Sequence, residues 1–584
     1  MPLILQRLVD SEFRNFTHPI SDRYPQTPLL LFLSACMTTL PFETLGFSQL
    51  FVDFIAQRDI VASRFSANAD LFSPSATLSE LAASNPHRSL FTDAIAATMA
   101  HVEQTQEQQQ NFHRLTEPSS LTVITGQQVG FLGGALYTML KAWTAVQSAE
   151  KLAAAHTGLN FVPIFWIEDN DHDIDEISHV SLLSQSGEAF TLRSSWNSAP
   201  AERTPAADVV YDEAIISAIE EAIEALPNSE HSHTVAELLQ EAYTPGTSVV
   251  MAFVKVLQRS LGASGILFVS AAELRKRGLF RSVVAKELAH IGSTADTVHK
   301  ASQQLLASGY HGQAQASAVN LFLHIGGKRH KITTLENGSS SGNERLQAGE
   351  IVYTKAELQA LAAKHPEQFS PAVLLRPLVQ DAIFPNAAYI GGPGEIAYLA
   401  QIQELYPLFG VPPTATLARH SVTLTDARTE QLCAKLGVAT SFFLRRYDAV
   451  EKDIMHEQEN KHLAAALETA KVAIKRAFAD VQPHILALDP TLVPTSDRMK
   501  NQALQGVSDL EAKVRKAQKR LEETTLGKAR KASSLLYPEG GLQERALPYV
   551  YFAAKIGFDA LATAMRHITS QPATAHILLS VDTE

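Results

Sequence analysis

Only two cysteines, Cys36 and Cys433, occur in 584 residues. That excludes a disulfide framework and a cysteine-rich zinc site, and it suits a reducing compartment. Long apolar runs are equally scarce. The longest, near Leu29 to Met37, is interrupted by Ser34 and falls well short of the ~20 residues that span a bilayer. The opening MPLILQRLVDSEFRN reaches Arg7, Asp10 and Glu12 too soon for a signal-peptide core. The expectation is a soluble, cytoplasmic protein that does not associate with membranes. Basic residues are in deficit as well: 49 Lys and Arg against 61 Asp and Glu leave a net charge of −12, which repels nucleic-acid backbones. No nucleic-acid partner is expected. No G-x-S-x-G follows any strand candidate, which removes the serine-hydrolase elbow.

What is present is a chain able to bury a large core, 45% hydrophobic and 19% charged. At roughly 100 to 200 residues per domain it holds three or four structural units. Residues 1–118 read as an N-terminal helical cover, with an amphipathic helix from Ser89 to Arg114. At Leu121 the texture changes: LTVIT, a β-branched run, is followed by the glycine-bearing GQQVGFLGG and the helix-forming ALYTMLKAWTAVQSAEKLAAAH, the opening of a βαβ unit. FVPIFWI (Phe161 to Ile167) has no polar alternation and fits a strand covered on both faces. GILFVS and AAYIGG repeat the strand-then-turn pattern. The sum over 119–445 is an α/β Rossmann-type parallel-sheet core with mixed insertions at about 178–260 and 300–370; ENGSSSG within the second reads as an exposed loop.

From about Arg446 to 534 the composition shifts toward Ala, Glu, Lys, Gln and Leu. Leu463, Leu467, Ala470, Ile474, Phe478, Val481 and Ile485 form one near-heptad run; Val507, Leu510, Val514, Ala517 and Leu521 form another. With LDPTLVP between them they predict an antiparallel coiled-coil hairpin, and residues 535–584 are expected to pack near its base. Ala465, Ala466, Ala473 and Ala477 widen the apolar surface of the first helix beyond one stripe, which predicts a homodimer through the coiled coil.

Three blocks carry candidate chemistry. Thr125, Gly126, Gln127, Gln128 and Gly130 sit where the first strand hands over to its helix, so glycine permits close ligand approach and the helix N-terminus favours anions; a turn that merely closes is the alternative. EDNDHDIDE (Glu168 to Glu176) sets six carboxylates and His172 at a strand's carboxyl end. Such a cluster can hold an ammonium, bind a divalent metal or supply acid and base groups, or it can be a solvated loop. His172 and His179, seven apart, would share a helix face with Glu176 between them. LLRPLVQDAIFPNAAYIGGPGEIAYLAQ combines Arg376, Asp381, a strand, the Gly391, Gly392 and Gly394 turn, and Glu395 in the first turn of a helix. No ligand spacing matches a standard zinc signature, so no permanent metal is expected.

These blocks, VITGQQVGFLGGALYTMLKA, VPIFWIEDNDHDIDEISHV and LRPLVQDAIFPNAAYIGGPGEIAYLAQ, together with LYPEGGLQER, resemble in order and over nearly the whole chain the BshC family of bacillithiol biosynthesis. The resemblance implies a Rossmann-type core with connecting insertions, a helical hairpin that mediates dimerisation, and a ligase joining L-cysteine to glucosaminyl malate. One loop departs from the family's GLFTGPLYT-like pattern and reads GFLGGALYT, with Phe131, Leu132, Gly133 and Ala135 in place of the usual types. The core is similar in architecture to class I aminoacyl-tRNA synthetases and the mycothiol cysteine ligase, but their His-x-Gly-His and Lys-Met-Ser-Lys-Ser strings are absent here.

Amide formation from a carboxylate needs the acid activated, as an adenylate or an acyl phosphate; ATP or another nucleotide is a candidate activator, and the resemblance leaves the activator open. Asp171, His172, Asp173 and Glu176 are the expected catalytic groups, orienting the cysteine ammonium or deprotonating the attacking amine. Arg376 and Arg419 are expected on the malyl carboxylates, with Gln127, Gln128, Asp381 and Glu395 as further substrate contacts. Thr125, Gly126, Gly391, Gly392 and Gly394 would form the nucleotide or pocket loop. The alternative is a non-catalytic scaffold that presents substrate to an activating partner.

Overall fold

The computed structural model describes residues 37–581 apart from 70, 74–75, 84, 336–344, 458–460 and 522. Cys36, the N-terminal stretch before Met37 and the ENGSSSG loop therefore lie outside the described residues.

The apolar runs become parallel strands. β1 (Ser120–Gln128), β2 (Asn160–Glu168), β3 (Leu267–Ser270) and β4 (Asn386–Gly391) are joined by β5 (Ala415–Ala418). Their order is β3-β2-β1-β4-β5 and every neighbouring pair is parallel. Ile124, Ile164, Trp166 and Phe268 are fully buried, as both-face cover of a parallel sheet demands. Direction of winding reverses between β1 and β4, and at such a switch point the carboxyl ends of the strands open a crevice. Gly126 belongs at the end of β1 because β2 runs so close: a Cβ there would stand 3.0 Å from the Trp166 carbonyl oxygen.

Three helices matter to the crevice: α1 (Tyr137–Ala155) after β1, α2 (Arg376–Ile383) before β4 and α3 (Pro393–Ile402) after it. Between β1 and α1, Phe131 packs edge-on against Tyr243, with ring centres 5.3 Å apart, and Leu132 is buried at a φ of 52°. The departing loop is thus anchored by its own apolar side chains. The first insertion is a strand pair, His179–Leu183 and Ala189–Arg193, followed by three helices within 215–261. The second carries a five-stranded antiparallel sheet within 321–371.

Several expectations change in detail. The single helix expected over Ser89 to Arg114 is two, Arg88–Thr98 and Gln106–Leu115, because Thr105 and Gln108 close a capping box that starts the second afresh. The N-terminal cover is not wholly helical: Met37–Leu40 pairs antiparallel with His576–Ser580, which also runs parallel to Ser421–Thr425. The C-terminal segment accordingly returns to the core as well as adjoining the hairpin.

The paired hairpin helices are α4 (Lys461–Leu488) and α5 (Val493–Leu521). Flanking helices Tyr447–Glu457 and Glu523–Leu536 pack with Cys433 and Phe443 into a separate small core, where burial pushes the Cys433 thiol's pKa up. Val481 and Leu510, expected in the seam, are instead 49% and 51% exposed, and Leu463 is 38% exposed. The α-helical period drifts against a strict heptad, so Glu511 takes the inward position next to Leu510 and pairs with Lys471 at 2.7 Å. No helix among the described residues is long and apolar enough to cross a membrane.

Candidate active site

A cavity of about 480 Å³ opens at the switch point. Its walls come from four places: the β1 end (Gly126, Gln127, Gln128), the β2 end (Trp166, Glu168, Asp171), the α2–β4–α3 unit (Arg376, Tyr389, Gly392, Gly394, Glu395, Tyr398), and the second insertion (Arg329, Pro371). Tyr137, Lys141, Arg419 and Arg545 complete it.

The six carboxylates of the acidic run have separate fates. Glu168 lines the cavity and accepts the Trp166 Nε1–H at 3.0 Å. Burial raises its pKa, and the Trp166 hydrogen bond opposes this. Asp169 caps the helix Ala271–Lys276, accepting from the Ala272 N–H and the Ser270 hydroxyl. Its burial pushes its pKa up to about 7. Asp171 accepts from Gln128 Nε2 at 2.7 Å, from Arg329 Nη1 at 3.0 Å and from the His172 N–H at 2.8 Å. Asp173 caps a single helical turn, Ile174–Ile177, Asp175 pairs with Arg193 near the surface, and Glu176 is exposed.

The shared helix face expected for His172, Glu176 and His179 does not form, because only that one turn is helical and His179 begins a strand. His172 stacks edge-on against Phe322 and adjoins Arg329. Burial, then the Arg329 charge, lowers its pKa. No cluster of three or more His, Cys, Asp or Glu among the described residues stands ready to hold a metal.

Lys141 is almost wholly buried in α1 and reaches Glu395 at 2.6 Å, while donating to the Gly126 carbonyl and Gln127 Oε1. Burial pulls its pKa down against the pull of Glu395. For Glu395 burial works the other way, yet Lys141, the Tyr389 hydroxyl and the Gly392 N–H together hold its carboxyl below the ordinary range. The glycine turn expected as a nucleotide loop is therefore already capped by its own carboxylate, and Thr125 is spent on the Ile390 carbonyl. Gly126, Gly392 and Gly394 remain on the cavity wall.

Arg419 lines the cavity but is held by Glu544 at 2.7 Å, with both side chains buried, and it donates to the His420 carbonyl. Asp381 is not brought to this cavity. It is buried within α2, accepting from Asn386, Gln380 and Tyr406. Gly391 lends its carbonyl to the Arg419 N–H. Arg376 stands between aromatic faces, its guanidinium carbon 5.9 Å from the Trp166 ring centre and 5.1 Å from that of Tyr389. Nη1 donates to Gln380, whereas Nη2 is buried with no hydrogen-bond partner among the described residues.

Sequence reasoning missed Lys141, Tyr137, Trp166, Arg329, Tyr398 and Arg545 as wall residues. Lys141 had one available signal, a charged residue in the apolar and small first half of α1, Tyr137 to Val146. Arg329 had none, since it arrives from an insertion strand more than 150 residues away.

A parallel sheet with a charged cavity at its switch point, roofed by an insertion, defines a Rossmann-like α/β protein. A family model described as bacillithiol biosynthesis BshC, N-terminal Rossmann-like domain, matches residues 36–420, and its C-terminal coiled-coil counterpart matches residues 422–581. The chain belongs to the BshC family of bacillithiol biosynthesis. It is 30% identical over 560 residues to a protein of Chlorobaculum tepidum named "Putative cysteine ligase BshC", covering 92% of this chain and 97% of that one. A protein of the same name from Salinibacter ruber is 28% identical over 549 residues, covering 94% and 99%.

Proposed function

We propose that the chain is a cytoplasmic ligase that forms the amide between L-cysteine and glucosaminyl malate, the last step of bacillithiol assembly. The observation that carries the reading is the charge pattern of the cavity. Lys141 pairs with Glu395, Asp171 with Arg329 and Arg419 with Glu544. Glu168, Arg376 and the exposed rim residue Arg545 have no ion-pair partner among the described residues. Two free cations and one free carboxylate suit substrates that bring carboxylates and an amine together. With Arg419 engaged by Glu544, the malyl carboxylates fall to Arg545, over the Tyr137 ring at 6.0 Å.

Carboxylate oxygen leaves poorly, so the cysteine acid is activated first, with ATP or another nucleoside triphosphate as co-substrate and no permanent metal. Asp171 and His172 act through the Gln128–Asp171–Arg329 network, which fixes the cavity wall. The hairpin makes the protein a homodimer: among the described residues of α4 and α5 no apolar side chain is buried, while Val472, Val481, Leu486, Leu488, Met499 and Leu510 are 49–84% exposed.

The experiment incubates purified protein with cysteine, glucosaminyl malate and nucleoside triphosphates, and follows thiol product by mass spectrometry. Product formation by the purified chain supports the ligase. Product only after a cell extract is added favours the scaffold reading, which the absent synthetase motifs support. No product under either condition overturns both.

A further inference from the structure

Glu168 and Arg376 flank one indole. Trp166 donates its Nε1–H to Glu168 at the ring edge, and the Arg376 guanidinium lies 5.9 Å from the ring centre. Both line the same cavity. Arg376 is 9% exposed, and its buried Nη2 lacks an acceptor. A guanidinium keeps its charge in any protein setting; Glu395 and Glu168 act on it through space without forming a direct ion pair, and its buried Nη2–H is left without an acceptor, so this corner of the wall is incomplete as it stands.

A dicarboxylate does not complete it, because its second carboxylate would meet Glu168. A simple amine leaves Arg376 unmatched. A small molecule with an ammonium and a carboxylate on one carbon matches both. Asp171 is a poor competitor for the ammonium, since Gln128, Arg329 and the His172 N–H already occupy its oxygens.

We propose that Glu168 and Arg376 form a zwitterion clamp for the free amino acid, Glu168 receiving the α-ammonium and Arg376 the α-carboxylate. The clamp rests on the reading that cysteine is one substrate of this cavity. It makes the pair the determinant that separates an α-amino acid from other small thiols, leaving thiol recognition to the remaining wall. Burial raises the Glu168 pKa in the free protein, and an ammonium at that carboxylate reverses the effect, so cysteine binding weakens as falling pH protonates Glu168.

The test is calorimetric titration of the full chain with L-cysteine, with 3-mercaptopropionate, which lacks the ammonium, and with cysteamine, which lacks the carboxylate. The wild type should bind cysteine at least about tenfold more tightly than either analogue. Glu168→Gln should lose about tenfold toward cysteine and leave 3-mercaptopropionate unchanged. Arg376→Gln should lose about tenfold toward cysteine and leave cysteamine unchanged. A merely structural role for either residue would lower all three affinities together, and that result overturns the clamp. Should a variant fail to fold, the wild-type series decides alone: equal affinities for the three thiols overturn the proposal. Undetectable cysteine binding alongside product formation in the reconstituted reaction overturns the clamp and leaves the ligase standing; loss of both removes the two together.

Discussion

At the scale of single residues, the cavity wall is a set of paired charges with a few left open. Lys141 shows how strongly the pairs are fixed, because its ammonium is taken out of water and held by Glu395, the Gly126 carbonyl and Gln127 Oε1. Breaking such a pair by removing one partner costs more than the pair itself contributes, since the other charge is stranded. Lys141→Met should therefore destabilise the chain by about 3 kcal/mol, measured as a shift in the urea midpoint. A change below about 1 kcal/mol would mean that water or another cation reaches Glu395. This is also the scale at which the site was least legible. The acidic run announced itself, but composition could not tell a cavity carboxylate from a helix cap, and Glu168 and Asp169 are adjacent in sequence. Only burial of the one beneath Ala272 and exposure of the other to the crevice separates them.

At the scale of elements, parallel strands were legible because both faces are covered and their apolar runs have no polar interruption; β5 was not, since ATLA carries no such signal. The hairpin was legible as a pair of helices but not in its phase, because a run of apolar residues at three and four leaves the inward position ambiguous by one, and the ion pair of Lys471 with Glu511 won over Leu510. The C-terminal strand joins the core through buried histidines that sequence could not mark. His576 lies between Ser421 and Thr423, and His420 lies between Thr144 and the Gln571 carbonyl. Burial lowers both pKa values to about 4. The unfolded chain then binds more protons than the folded one between about pH 4 and 6.5, so their contribution is complete above pH 6.5 and falls as pH drops toward 4. Each accounts for up to about 3 kcal/mol over that window. Asp169, with its pKa raised to about 7, acts in the opposite sense because the folded chain takes up its proton first; His576→Asn should therefore lose less of its urea midpoint than the wild type between pH 7 and pH 5, and an equal loss would contradict this assignment.

At the scale of the whole molecule, the proposed dimer rests on a hairpin in which no apolar side chain is buried among the described residues of α4 and α5. Light scattering at micromolar concentration should give about twice 63.6 kDa. Paired Val481→Glu and Leu488→Glu substitutions should halve that mass and leave cysteine affinity intact. A monomeric wild type would contradict the dimer without touching the cavity. The proposed reaction requires the amino acid and the malyl sugar to meet in the cavity at the switch point. The measurement that addresses this most directly is a crystal structure of the protein soaked with L-cysteine and glucosaminyl malate. It should show cysteine between Glu168 and Arg376, with the malyl carboxylates at Arg545. Both ligands ordered elsewhere, with the cavity holding only solvent, would contradict it.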